Sequence, residues 1–379
     1  MSLDDDVRAE LRELSAAHLV RVPRVVDGAQ GTRVRVDGLD VVSFASNDYL
    51  GLAGDPRLTA AAAAVLEEDG LGAGASRLIV GNHRQHVALE AELADWMQSE
   101  GTRLFNTGYA ANVGVLTALL REGDVVFSDA LNHASIIDGC RLARARVVVY
   151  PHLDLVALER ALADVAGRRR IVVSESLFSM DGDLADVAAL AALCHRHEAA
   201  LILDEAHALG VLGPEGRGVA AAAGVVPDVV VGTFGKALGT FGAFVATSEA
   251  IATLLWNRAR PLVFSTGLPP SLAAATRAAV ATVRSADGGD RRRKLGVLGE
   301  QLGRALRVKV AGPIVPVHIG DDARVVEVAQ QILSRKILVA SVRPPTVPSG
   351  TSRLRISLSA GHEPRDIEQL TVAITQCVT

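Results

Sequence analysis

Residues 201–242 read LILDEAHALGVLGPEGRGVAAAAGVVPDVVVGTFGKALGTFG, and this stretch limits what the chain can fold into more than any other. It holds one lysine, Lys236, in apolar and glycine-rich surroundings. The β-branched run at 228–233, bounded by Pro227 and by glycines, has the form of a strand buried on both faces of a parallel sheet. Lys236 then falls just past a strand end, where open α/β sheets place their ligands. Residues 201–207 repeat the design, an apolar strand delivering Asp204 and then His207 at its C-terminal edge. An acid and an amine from two strand ends of one sheet suit a cofactor with one basic nitrogen and one carbonyl.

Competing readings of the same residues fail on spacing. Asp204-Glu205-Ala206-His207 also occurs in nucleotide-driven helicases, behind a phosphate loop of the form Gly-x-x-x-x-Gly-Lys-Ser/Thr. Here position 230 is Val, Ala237 follows Lys236, and no other Gly-Lys-Ser or Gly-Lys-Thr exists. A zinc site from Asp204, His207 and His133 lacks the usual Cys or His-Glu ligand spacings, so no metal is expected. The alternating Gly70, Gly72 and Gly74 have no strand ahead of them, which argues for a loop closing over a site and against a dinucleotide fingerprint.

Of the 379 residues 49% are hydrophobic but only 3% aromatic, so the core is built from Ala, Val, Leu and Ile, as in helices packed on a parallel sheet. A formal charge of −4 gives no electrostatic case for a nucleic-acid or membrane partner. The acidic start has no apolar segment resembling a signal peptide, and no stretch reaches the roughly 18 uncharged residues of a membrane helix. Cys140, Cys194 and Cys377 are scattered and odd in number, as expected of reduced core thiols in a cytoplasmic protein.

Apolar spacing predicts a helix over 4–19, a β-hairpin over 32–44 turning at Asp37-Gly38, and helices over 58–68 and 86–97. From 103 onward, short apolar strands at 104–106, 125–128, 147–150, 171–175, 201–204, 229–233 and 242–247 alternate with helices. The expected fold class is α/β: a large domain (46–286) with a mostly parallel seven-stranded sheet, and a smaller α+β C-terminal domain (287–379). The N-terminal segment (1–45) is expected to pack with the smaller domain, and 286–290 to form a linker. In the smaller domain strands are expected at 314–319, 338–341 and 354–358, with helices at 291–306, at 323–334 and from Pro364.

Polar groups gather at the strand exits. Residues 106–112 run from strand to helix, where free N–H groups can hold a phosphate. His133 stands at the next exit, and 174–183 closes another strand in a hydroxyl-rich loop containing Ser179. Asn47 lies in the polar loop 46–52, and Arg355, inside an apolar strand, is a candidate anion clamp.

Five ordered motifs, Asn132-His133-Ala134-Ser135, Phe178-Ser179-Met180-Asp181-Gly182-Asp183, Asp204-Glu205-Ala206-His207, the run from Gly232 to Gly239 containing Lys236, and Arg353-Leu354-Arg355, resemble those of the α-oxoamine synthases. These are pyridoxal-phosphate enzymes of the aspartate-aminotransferase fold (PLP fold type I) that condense an amino acid with an acyl thioester. The resemblance covers nearly the whole chain. It implies that Lys236 holds the cofactor through its amine and moves the Cα proton, that Asp204 keeps the pyridine nitrogen protonated, and that His207 and Ser179 bind the phenolic oxygen. His133 would stack on the ring and aid the thioester carbonyl, while Gly108, Tyr109 and Thr233 would bind the phosphate. Ser265 and Thr266 would complete the phosphate site of the partner in a homodimer. Within the family, residues 46–52 and Arg343-Pro344-Pro345-Thr346-Val347-Pro348 resemble the member that joins L-alanine to pimeloyl-CoA or a pimeloyl carrier protein in biotin biosynthesis. Arg355 would then clamp the amino-acid carboxylate with Arg343 as a second anion partner, and Arg21, Asn47 and Thr346 would meet the substrate. Glycine C-acetyltransferase, 5-aminolevulinate synthase and serine palmitoyltransferase share the cofactor residues and stand as alternatives.

Overall fold

The computed structural model describes residues 2–17 and 19–378. The chain divides into a larger unit, Asp48–Ser179 with Asp183–Lys294, and a smaller one made of the described residues of Met1–Asn47, Met180–Gly182 and Leu295–Thr379. In chain order the strands are β1 (Val26–Asp27), β2 (Arg33–Val36), β3 (Leu39–Ser43), β4 (Gly101–Phe105), β5 (Val125–Asp129), β6 (Arg146–Tyr150), β7 (Arg170–Glu175), β8 (Ala200–Asp204), β9 (Val229–Thr233), β10 (Ala243–Thr247), β11 (Ile314–Gly320), β12 (Ile337–Leu338), β13 (Ala340–Val342) and β14 (Ser352–Ser357).

The larger unit carries the seven-stranded sheet, ordered β4-β10-β9-β8-β7-β5-β6. From β9 to β6 every pair is parallel, and β10 runs antiparallel to both its neighbours. Side chains alternate between the faces. Val126, Val173, Ile202 and Val231 join a core with Ala111, Val115 and Leu116 of the helix Gly108–Leu119. Phe127, Val172 and Leu201 join the opposite core with Leu158, Leu162, Leu190 and Leu193. Each such side chain, fully buried, contributes about 1.5–3 kcal/mol, so a polar group in mid-strand is costly on either face and chemistry is confined to strand ends.

In the smaller unit β1, β2, β3 and β12 form one sheet and β11, β14 and β13 another. The β2–β3 hairpin turns at Asp37 and Gly38, both at positive φ (51° and 79°), as its Asp-Gly signal requires. The N-terminal hairpin is continued by β12, which lies parallel to β3. Helix Leu3–Ala16 replaces the helix expected over 4–19; position 18 lies outside the described residues.

Two local expectations are corrected. The single strand expected at 338–341 is two strands: β12 pairs with β3, and β13, after buried Val339, pairs with β14 in the other sheet. The linker expected at 286–290 is the start of a helix, Ala286–Leu306. Here glycine serves close approach: a Cβ on Gly288 would stand 2.2 Å from the Val283 carbonyl oxygen. The basic run that follows is tied down as well, with Arg291 Nη1 donating to Leu50 O (2.7 Å) and Arg292 Nη1 to Val283 O (2.8 Å).

Gly232, inside β9, is likewise fixed by packing. An added Cβ would meet Phe244 Cε1 at 2.3 Å and Leu209 Cδ2 at 2.9 Å, and Phe244 is stacked on Phe234. Gly232→Ala is expected to destabilise by about 1–3 kcal/mol through overpacking, measured as a lowered urea midpoint at unchanged slope; an unchanged midpoint contradicts this packing.

Candidate active site

Glu175, Asp204 and Thr233 end β7, β8 and β9 in phase with Val173, Ile202 and Val231, and so lie on the sheet face covered by helix Gly108–Leu119. Asp204 is buried and fixed from two sides: Asn112 Nδ2 donates to Oδ2 (2.7 Å) and the Ala206 amide to Oδ1 (2.9 Å). Asn112 Nδ2 also donates to Ser135 Oγ (2.9 Å), which lies 2.8 Å from His133 Nδ1. Because the Ser135 amide donates to that same Nδ1 (3.2 Å), the ring's remaining hydrogen sits on Nε2. Burial holds His133 below the ordinary histidine range; Asp204 opposes this and Lys236 adds to it, so the ring is neutral.

Lys236 sits in the turn between β9 and β10, closed by Phe234 N donating to Gly242 O and Gly239 N to Lys236 O, both 2.9 Å. Gly239, at φ +64°, passes so close to Ala53 that a Cβ would lie 2.4 Å from its amide nitrogen. Lys236 Nζ is 3.0 Å from His207 Nε2, and His207 Nδ1 is 2.6 Å from the buried Tyr49 hydroxyl. Amine, imidazole and phenol thus form one line of hydrogen-bonding groups.

A phosphate cradle adjoins them. Thr107 caps the helix Gly108–Leu119 by accepting from the Ala110 amide, and the Gly108 and Tyr109 amides precede it in the first turn. Such amides, with the positive end of the helix dipole, favour an anion. Thr233 Oγ1 is buried without a hydrogen-bond partner among the described residues. Gly108 leaves the space beside it: a Cβ there would stand 2.6 Å from Thr233 Cγ2. Orphaned hydroxyl, helix amides, a fixed carboxylate and an amine fit the phosphate, pyridine nitrogen and aldehyde carbon of pyridoxal phosphate.

Ser179 is buried in the loop after β7. Ser265 and Thr266 line a small recess with Arg77 and Asn106, with Thr266 paired across a bridge to Ser76 and its carbonyl accepting from Asn106 Nδ2 (3.0 Å). Within the smaller unit Asn47 and Arg355 come together: Arg355 Nη1 donates to Asn47 Oδ1 (3.1 Å) and to Ser357 Oγ (2.7 Å). Arg21 Nη2 donates to Thr346 Oγ1 (3.3 Å), and Arg343 Nη2 to Val20 O (3.2 Å). Arg353, on the same face of β14, pairs with Asp181.

Asn112, Tyr49 and Glu175 were not singled out from the sequence. Asn112, a lone amide in an otherwise apolar helix, is the signal that could have been followed. Glu205, by contrast, has a structural role: wholly buried, it accepts from Ser176 Oγ (2.5 Å) and from the Val219 and Ala220 amides (3.0 and 2.8 Å).

A family model described as aminotransferase class I and II matches residues 39–374. An 8-amino-7-oxononanoate synthase from Anaeromyxobacter dehalogenans is 48% identical over 98% of this chain and 94% of its own length. Another from Geobacter sulfurreducens is 46% identical over 98% and 97%. Among solved structures, a serine palmitoyltransferase variant from S. paucimobilis with bound PLP-myriocin has a TM-score of 0.93 at 30% identity, covering 98% of this chain and 96% of that one. An 8-amino-7-oxononanoate synthase from Francisella tularensis has a TM-score of 0.76 at 27% identity, covering 89% and 97%. The chain belongs to the class I and II aminotransferase family. It is a pyridoxal-phosphate-dependent acyltransferase of the α-oxoamine synthase type, with the aspartate-aminotransferase fold.

Glu175 supplies a test of the site's electrostatics. Its Oε1 is buried without a hydrogen-bond partner among the described residues. Burial, then the neighbouring Asp204, pushes its carboxyl up to about 8, with Lys236 and backbone amides opposing. Folded protein therefore holds a proton that unfolded protein loses near the ordinary value of about 4.3, and this group's contribution falls as pH rises from there through about 8. In cofactor-free protein, Glu175→Gln is expected to gain stability relative to the parent progressively across that window, followed by urea unfolding at stepped pH. A pH-independent difference contradicts the assignment.

Proposed function

We propose that this enzyme condenses L-alanine with a pimeloyl thioester, of coenzyme A or acyl carrier protein, to give 8-amino-7-oxononanoate, carbon dioxide and free thiol in biotin biosynthesis. The carrying observation is identity of 42–48% over nearly the full chain to curated relatives named 8-amino-7-oxononanoate synthase; among solved structures, identities of 30–33% to two serine palmitoyltransferases and 27% to an 8-amino-7-oxononanoate synthase do not favour that name. Backbone likeness favours the other reading, with TM-scores of 0.93 and 0.92 to the palmitoyltransferases. A shared backbone reports the scaffold, while substrate choice lies in side chains, so the identity over nearly the full chain is weighted more.

Pyridoxal phosphate, when bound, supplies an electron-withdrawing ring that stabilises negative charge on the amino-acid Cα. Gly108, Tyr109 and Thr233 hold its phosphate. Asp204, fixed by Asn112 and the Ala206 amide, keeps a proton on the pyridine nitrogen; His207 and Ser179 bind the phenolic oxygen. Lys236 would hold the cofactor through its amine, and its Nζ would be the group that takes the Cα proton. His133 would help hold the ring and would offer Nε2–H to the thioester carbonyl oxygen. Arg355, preset by Asn47, binds the amino-acid carboxylate, with Arg343 as a second anion partner and Arg21 and Thr346 toward the acyl chain.

The enzyme acts as a homodimer in which Ser265 and Thr266 complete the partner's phosphate site. Near the Ser76–Thr266 bridge in sequence, Ile79 (74% exposed), Val80 (80%) and Phe264 (72%) are exposed apolar side chains, of the kind a second chain covers. The proposed compartment is the cytoplasm; no helix among the described residues is long and apolar enough to cross a membrane.

The substrate assignment is tested by thiol release, comparing kcat/KM for alanine, glycine and serine, each paired with pimeloyl, acetyl, succinyl and palmitoyl thioesters. Alanine with pimeloyl is expected to be the best pair, and alanine to exceed glycine by roughly ten- to two-hundredfold, the worth of one methyl in a fitted pocket. Any pair that exceeds alanine with pimeloyl would overturn the biotin assignment and leave the family in place.

A further inference from the structure

We propose that His152 is a positioning residue, a doubly paired imidazolium that clamps the loop leading to His133 against the loop bearing Ser179. The inference rests on the cofactor site and not on the choice of substrates.

His152 follows β6 and sits on the opposite side of the sheet from Asp204. Asp129 ends β5 in phase with Phe127, so its carboxylate points to that opposite side. His152 Nδ1 donates to Asp129 Oδ1 (2.8 Å) and Nε2 to Asp183 Oδ2 (2.9 Å). Both ring nitrogens face carboxylate oxygens, which accept and cannot donate, so the arrangement is satisfied only by an imidazole carrying both protons. Burial disfavours that charge, but the hydrogen bonds and attraction of Asp129 and Asp183 outweigh it and push the ring up to about 10.

The two carboxylates belong to the two loops. Asp129 also accepts from the Leu131 amide through Oδ1 (2.8 Å) and from the Leu153 amide through Oδ2 (2.9 Å), shaping the turn that runs on to His133. Leu153 is held at φ +56°, a conformation that side chains other than glycine seldom adopt. On the other side, the Phe178 amide donates to Asp183 O (3.0 Å) and Leu177 bridges Leu184, so Ser179 projects from a closed loop. The Phe178 ring stands edge-on to His152, centroids 4.4 Å apart. Asn132 already fastens the first loop to β7 through Nδ2 to Val173 O (2.9 Å) and by accepting from the Glu175 amide (3.1 Å). His152 adds a second tie to the Ser179 loop, beside the Glu175 carboxyl, which takes the His133 and Ser179 amides.

The test uses His152→Gln and Asp183→Asn, with Leu158→Ala, a buried change in the same core, as the control for destabilisation alone. Each purified variant is titrated with pyridoxal phosphate by absorbance, and 15N-histidine spectra of the intact holoenzyme report the ring protons. Both ring nitrogens of His152 are expected to stay protonated at pH 8. Pyridoxal phosphate Kd is expected to rise tenfold or more in His152→Gln and in Asp183→Asn, with the double variant no worse than the weaker single, while Leu158→Ala lowers Tm and leaves Kd within twofold. A His152 ring that is neutral at pH 8, or Kd values within twofold in both site variants, overturns the proposal. If His152→Gln does not fold, Asp183→Asn, with its partly exposed carboxylate, decides it. No acyl substrate enters these measurements, so the substrate assignment can fail without affecting the result.

Discussion

The constraint on which this structure depends is a sheet buried on both faces. β5, β9 and β10 offer no exposed position along their length, and among them the one charged side chain, Asp129, stands where β5 stops. In parallel strands those stops fall along one edge, and the alternation of side chains decides which face each end-residue serves. Glu175, Asp204 and Thr233 share one parity and meet the helix Gly108–Leu119. Asp129 has the other parity and meets His152. One sheet edge therefore presents a site on one face and its bracing on the other.

The site is organised at a cost in stability. Thr233 Oγ1 and Glu175 Oε1 are buried without partners among the described residues, and each such group typically costs about 1–3 kcal/mol. A phosphate oxygen would satisfy the hydroxyl and offset the first. For the carboxyl, burial and the neighbouring Asp204 favour the protonated form. Asp204 has been given the opposite treatment, one donor for each of its two oxygens.

The large sheet and the strand-end placement of several candidate residues were legible in the sequence because burial on both faces leaves a continuous apolar run and a strand-end residue stands at the end of that run. Asp204, Lys236, His133 and Gly108 stand at such ends. Asn112, Tyr49 and His152 do not: each reaches its partner across elements distant in sequence, and each reads as an ordinary polar residue of a helix or loop. The same limit explains 286–290 and 338–341. Glycines mark loops in a sequence, yet Gly288 serves close approach within a helix, and a short apolar run gives no sign that its first two residues and its last three pair with different sheets.

The central claim is that the amine at the end of β9 is the one that holds pyridoxal phosphate. The chain has four lysines, Lys236, Lys294, Lys309 and Lys336, which makes the question sharp. Borohydride reduction of the loaded enzyme, followed by peptide mass analysis, should place a single pyridoxyl group on the peptide containing Lys236, and Lys236→Ala should abolish it. A stoichiometric label on Lys294, Lys309 or Lys336, with Lys236 unmodified, would contradict the account.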